Sequence, residues 1–253
     1  MYLNDIVKHK REEIKGLRLP DISRYRPVMN PLEHLRHRPF IAEIKKASPS
    51  HGDINRGADI ILLSRQYERG GAGAVSVLTD SRYFHGGFGD LSDISRAVGI
   101  PLLCKDFILS EVQVESAFLH GADFILLIAA VLNEHELKTL SRRAARYSMK
   151  VLFELHAPEE FDKIRQCDPE LVGVNSRDLA SFTISKTKAM ETLRALRGDF
   201  ITVAESGIDT GEDIVQFKRA GAGAFLIGTA LMTADDPVGK LREFYGALER
   251  ACS

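Results

Sequence analysis

At 253 residues, with 44% hydrophobic and 27% charged content, the chain can bury a large core beneath a soluble surface, and a closed α/β barrel is a natural size for it. Its 34 basic and 35 acidic residues leave a net charge of −1, which lacks the basic footprint of a nucleic-acid binder and leaves negative ligands to local groups. Three scattered cysteines, Cys104, Cys167 and Cys252, with no CxxC spacing, argue against a disulfide framework or a zinc site and suit a reducing compartment.

The first stretch, Met1–Lys15, is laced with charge and lacks the apolar core of a signal peptide. No segment approaches the roughly 18 consecutive apolar residues of a membrane span, so a cytoplasmic protein with no membrane partner is expected. Residues 1–39 read as one helix, with Leu3, Ile6, Val7 and Ile14 on a face, and a shorter helix near Pro31–His37. From there short apolar runs alternate with amphipathic segments. Strands are expected at Phe40–Lys45, Ala74–Leu78, Pro101–Lys105, Phe124–Ile128, Val151–Glu154, Leu171–Asn175, Ile201–Glu205 and Ala224–Ile227. Three strands are announced by one junction: Gly71-Ala72, Gly121-Ala122 and Gly221-Ala222 each end a helical segment and precede an apolar run. Glycine suits the left-handed position that closes a helix. Helix starts are legible at Ser110 with Gln113, Asn133 with Glu136, Asp209 with Glu212, and Asp236-Pro237.

Alternating helices and strands also permit an open doubly wound sheet, but a count of eight favours closure. The expectation is α/β: a closed (β/α)8 TIM barrel in one domain over 1–253, with 1–39 as an N-terminal helical extension packed on it.

Side chains alternate across a strand, so every second residue of a barrel strand faces inward. Glu43 and Lys45 share the inward parity of the first strand, and Lys105, Glu154, Asn175 and Glu205 each point inward from a strand's last position. Lys45, Lys105, Glu154 and Glu205 end the first, third, fifth and seventh strands, and alternate strands supply one interior layer. Burying so many charges for stability alone is costly even when they are paired. A catalytic constellation at the C-terminal mouth is the better reading.

An anion site is expected beside it. Ser206-Gly207 follows the seventh strand and Gly228-Thr229 follows the eighth, opening a short helix through Met232. Backbone N–H groups and a helix dipole at that corner favour a phosphate. Ser48 and Ser50, after the first strand, are placed to add hydroxyls.

With these segments in place, the chain closely resembles the indole-3-glycerol phosphate synthase family over essentially its whole length. The matching stretches are Ile41-Ala42-Glu43-Ile44-Lys45-Lys46-Ala47-Ser48-Pro49-Ser50, Ser76-Val77-Leu78-Thr79-Asp80, Cys104-Lys105-Asp106-Phe107-Ile108, Phe153-Glu154-Leu155-His156, Gly173-Val174-Asn175-Ser176-Arg177-Asp178-Leu179, Ala204-Glu205-Ser206-Gly207-Ile208 and Leu226-Ile227-Gly228-Thr229-Ala230-Leu231-Met232. The resemblance implies a phosphorylated small-molecule substrate, 1-(2-carboxyphenylamino)-1-deoxyribulose 5-phosphate, closing to an indole with loss of CO2 and water in tryptophan biosynthesis. It further implies that Lys105 and Glu154 are principal acid and base, while Glu43, Lys45, Asn175 and Glu205 position substrate or assist dehydration. His51 departs from the family's usual residue and is given no role.

For that substrate an apolar slot is expected from Phe84, Phe107, Leu126 and Leu179, which lie beside strand ends. Arg177 is placed either to meet the substrate carboxylate or to pair with a neighbouring acid. Which lysine is the acid in each step stays open. The remaining histidines, His9, His34, His37, His85, His120, His135 and His156, lack metal-ligand spacing and read as surface or loop residues; no metal and no cofactor are expected. The Gly-rich junctions precede strands, unlike a dinucleotide fingerprint. The related isomerisation, phosphoribosylanthranilate isomerase chemistry, is best served by a Cys/Asp pair at strand ends one and six, where Glu43/Lys45 and Asn175 stand. The residues are silent on oligomeric state, and a monomer is the working expectation.

Overall fold

The computed structural model describes residues 2–48, 52–53, 57, 59–179 and 181–252. Eight parallel strands close a barrel: β1 (Phe40–Ile44), β2 (Ala74–Leu78), β3 (Leu102–Lys105), β4 (Phe124–Ile128), β5 (Lys150–Leu155), β6 (Leu171–Asn175), β7 (Ile201–Glu205) and β8 (Ala224–Ile227). Each pairs with its sequence neighbours, and β1 pairs with both β2 and β8. The expected strands are all present. Their ends shift by a residue at Lys45, which lies just past β1, at Pro101, which precedes β3, and at β5, which is longer at both ends.

The repeated glycine junction has one structural cause. Gly71, Gly121 and Gly221 have φ of 94°, 103° and 109°, the left-handed region that a side chain resists. At each the chain makes the two bonds of a Schellman turn: Gly71 and Ala72 donate to Glu68 and Tyr67, Gly121 and Ala122 to Phe118 and Ala117, Gly221 and Ala222 to Lys218 and Phe217. The alanine after each glycine is buried, which sets the entry into the next strand. Helix starts follow the sequence at Ser110/Gln113 and Asn133/Glu136, and Asp236 accepts from the Gly239 amide at 3.0 Å. One start moves: the reciprocal cap is Thr210 with Asp213, not Asp209 with Glu212, because the Thr210 hydroxyl and the Asp213 carboxylate satisfy one another's backbone donors.

The core has two layers. Ile41, Ala74, Leu103, Phe124, Leu126, Leu152, Leu171, Val203, Ala224 and Leu226 fill the barrel, and these are the inward parity of their strands. The alternate residues, such as Phe40, Val75, Leu102, Ile125, Phe153 and Phe225, pack against the helices. Each buried Leu, Ile or Phe contributes about 1.5–3 kcal/mol.

The N-terminal extension closes both ends. Beneath the barrel, Arg24 and Arg26 grip the buried Asp123 at 2.6 and 2.8 Å, while Asp123 also accepts from the Leu102 and Met29 amides. Above the mouth runs α1 (Tyr2–Gly16). Its buried face is Ile6 and Lys10, with Leu3, Val7 and Ile14 only partly covered, so a lysine occupies a place expected to be apolar. Among the described residues, no helix is long and apolar enough to cross a membrane.

Candidate active site

The C-terminal mouth holds a cleft lined by residues from most of the strand ends. Strand parity delivers the expected charges to it. Glu43 points inward from β1, 3% exposed, and both of its oxygens are occupied: Lys45 Nζ lies 2.9 Å from Oε1 and Lys105 Nζ 3.4 Å from Oε2. Burial opposes ionisation of Glu43, but the two ammoniums more than offset it and hold its pKa at about 2. Lys105 is likewise opposed by burial, yet the carboxyls of Glu43, Glu154 and Glu205 keep it charged beyond the ordinary lysine range.

Across the mouth Glu154 and Glu205 face each other, each 1% exposed. Burial, and then the adjoining Glu154 carboxyl, push the pKa of Glu205 well above the usual carboxylate range. Two carboxyls buried this close disfavour a second negative charge, which is the direction in which Glu205 is shifted. Glu205 packs under Gly173, where any Cβ would overlap its Oε1. It therefore sits beneath the wall of the cleft and not in it, unlike the other five charged or amide residues expected there.

Phe84, Phe107, Leu126 and Leu179 line this cleft together with Leu3, Ile6, Ile128 and Phe182. Arg177 borders the same cleft; its amide bonds Asn175 Oδ1 at 3.0 Å and its guanidinium donates to the Phe182 carbonyl at 3.2 Å. At the opposite corner Ser206 and Gly207 are consecutive left-handed residues, φ 65° and 71°. For a serine this conformation is strained. Gly228 caps the short helix Thr229–Met232, and Gly228 and Thr229 also line the cleft. Ser48 lies in a short antiparallel pairing, Ala47–Ser48 with Gly52–Asp53. Its side chain, Ser50 and His51 fall outside the described residues.

A family model for indole-3-glycerol phosphate synthase matches residues 3–244. The chain belongs to the indole-3-glycerol phosphate synthase family. A relative of that name from an Exiguobacterium species is 39% identical over 244 residues, covering 96% of this chain and 95% of that one. One from Bacillus cereus is 39% identical over 235 residues, 92% and 93% of the two chains. Solved structures of low identity share the barrel alone. They include 3-hexulose-6-phosphate synthase from Salmonella typhimurium (TM-score 0.68, 13% identity, 84% of this chain and 99% of that one). Thiamine phosphate pyrophosphorylase from Pyrococcus furiosus gives a TM-score of 0.64 at 13% identity, covering 87% and 100%.

Within this member of the indole-3-glycerol phosphate synthase family, two residues near the site were not expected there. Lys10, 1% exposed, reaches from α1 to Asp80 at 2.8 Å and Asp106 at 3.0 Å, with Glu13 at 3.0 Å. Asp106 stands between Lys105 and Phe107, also accepts the Thr79 hydroxyl at 2.8 Å, and lines the cleft, as does Asp80. The network clamps α1, and with it Leu3 and Ile6, over the mouth. The second is His156, read from sequence as a surface or loop residue. Its side chain is 12% exposed and its Nε2 lies 3.5 Å from Glu154 Oε1.

Proposed function

We propose that the chain converts 1-(2-carboxyphenylamino)-1-deoxyribulose 5-phosphate to indole-3-glycerol phosphate, releasing CO2 and water. The observation that carries this reading is that Lys105, ion-paired to the buried Glu43, and the buried carboxyl of Glu154 line one cleft, with Glu205 beneath its wall. Family membership supports it.

In this reading the apolar slot takes the anthranilate ring and the Ser206–Gly207/Gly228–Thr229 corner takes the phosphate through backbone N–H groups. Lys105 Nζ then donates to the ketone oxygen as the ring carbon attacks. An ammonium held so firmly is a weak acid toward water but is matched to an oxygen that is becoming an alkoxide. Loss of CO2 restores the aromatic ring. Glu154 takes a proton from the carbon beside the ring nitrogen, and the hydroxyl departs as water. Glu154 takes the base role because it, and not Glu205, lines the cleft. Glu43 fixes both lysines, and Lys45 is the second donor. Asn175 shapes the loop that carries Arg177, whose guanidinium faces the substrate carboxylate.

The test is turnover of that substrate, followed by indole fluorescence together with CO2 release, for the chain and for Glu154→Gln. Indole formation that falls about 10²-fold or more in the variant, with product binding retained, is expected. Absence of indole product, or a Glu154→Gln enzyme of normal rate, rules the reading out.

A further inference from the structure

We infer that His156 relays protons between solvent and Glu154 through a second opening, separate from the cleft that takes the substrate. This rests on the reaction proposed above. His156 stands two residues beyond Glu154, so the strand alternation that turns Glu154 inward turns His156 the same way. Its Nε2 is 3.5 Å from Glu154 Oε1, and its amide donates to Glu160 Oε2 at 2.7 Å. Neither ring nitrogen has a hydrogen-bond partner among the described residues. The ring borders a side cleft lined by Asn175, Ser176, Asp178, Thr183 and Lys188. Glu154 and Asn175 line the main cleft. The wall between the two openings is therefore Asn175 and the Glu154–His156 pair. The charged groups facing the imidazole are Glu154 and Glu160 from its own segment, and Asp178 and Lys188 across the side cleft.

The proton balance gives this wall a task. The ketone oxygen must receive two protons to leave as water. The base removes one proton from carbon, and the ionised carboxylate departs as neutral CO2, leaving its electron pair in the ring. Each turnover thus takes up one proton from solvent. The groups that must be restored, Lys105, Lys45 and Glu154, line a cleft that substrate and α1 cover. Entry by the side cleft avoids that obstruction. There Glu154 first passes the proton taken from carbon to one lysine and is ionised again. Nδ1 then accepts a proton from a solvent acid while Nε2–H gives one to Glu154 Oε1, which hands it to the other lysine, so the ring ends neutral and both ammoniums are restored. Buried charges relay protons only through groups that both give and accept, and imidazole does so near neutral pH.

The experiment compares wild type, His156→Ala and His156→Gln in phosphate-free buffer, measuring kcat and KM for 1-(2-carboxyphenylamino)-1-deoxyribulose 5-phosphate against imidazole concentration. A fall in kcat of about tenfold or more is expected in both variants, with KM changed by less than about twofold. Added imidazole, entering the space left in His156→Ala, should raise its kcat with concentration and leave wild type unaffected. A merely structural histidine would show no such rescue. A kcat near wild type in folded His156→Gln, or a depressed kcat in His156→Ala that imidazole does not move, overturns the relay. If His156→Ala does not fold, the kcat of His156→Gln decides alone. Glu154→Gln separates this from the reading beneath it: a slow enzyme insensitive to imidazole is expected. A normal rate there overturns both the base and the relay that ends on it, whereas a slow Glu154→Gln beside His156 variants of normal kcat overturns the relay alone.

Discussion

Gly228 and Glu43 occupy adjoining space at the mouth of the barrel: a Cβ on Gly228 would lie 2.5 Å from Glu43 Oε1 and 3.0 Å from Lys45 Nζ. The glycine is therefore required by the ion pair at the end of β1 as well as by any anion at the helix start. Gly228→Ala is expected to displace the Glu43–Lys45 pair and lower kcat about tenfold or more, beyond any rise in KM. Steady-state kinetics on folded variant check this. A raised KM with unchanged kcat would confine Gly228 to phosphate binding.

Lys10 gives a stability prediction. Burial opposes its charge, and Asp106 and Asp80 more than offset that opposition. Lys10→Met leaves those carboxylates, both nearly inaccessible, without their cation. A loss of about 3–5 kcal/mol is expected in urea unfolding, together with faster amide exchange along α1. A loss below about 1 kcal/mol, or unchanged exchange in α1, would show that apolar packing of Ile6 alone holds the helix.

Glu205 gives a pH prediction. Its folded-state pKa is raised by burial and by Glu154, so the folded protein holds a proton that the unfolded chain releases. The group's contribution is fully present below the unfolded pKa and is lost as pH rises toward the folded one. Glu205→Gln cannot titrate and keeps the shape beneath Gly173. Its stability relative to wild type should therefore rise between pH 5 and 8, as read by denaturant unfolding at each pH. A difference that is flat or falls would mean the proton is not on Glu205.

Most of this site was legible because strand alternation is fixed by backbone geometry. Parity alone turned Glu43, Lys105, Glu154 and Glu205 toward one axis, and the glycine junctions marked three strand entries. Parity carries no depth, so it could not tell that Glu205 sits below the cleft wall, pressed against Gly173. Lys10 was hidden because a lysine on a charged helix reads as solvated, and its partners come from loops after β2 and β3. His156 did carry a signal. It repeats the inward parity of Glu154, and extending the strand by one step would have found it.

The central claim is that Lys105 protonates the substrate oxygen. Lys105→Met retains much of the stem's packing and removes both donor and charge. Single-turnover indole formation should fall about 10²-fold or more, in a protein that still unfolds cooperatively and still binds a phosphate-bearing product analogue. A rate within a few-fold of wild type would contradict the account and transfer the acid role to Lys45.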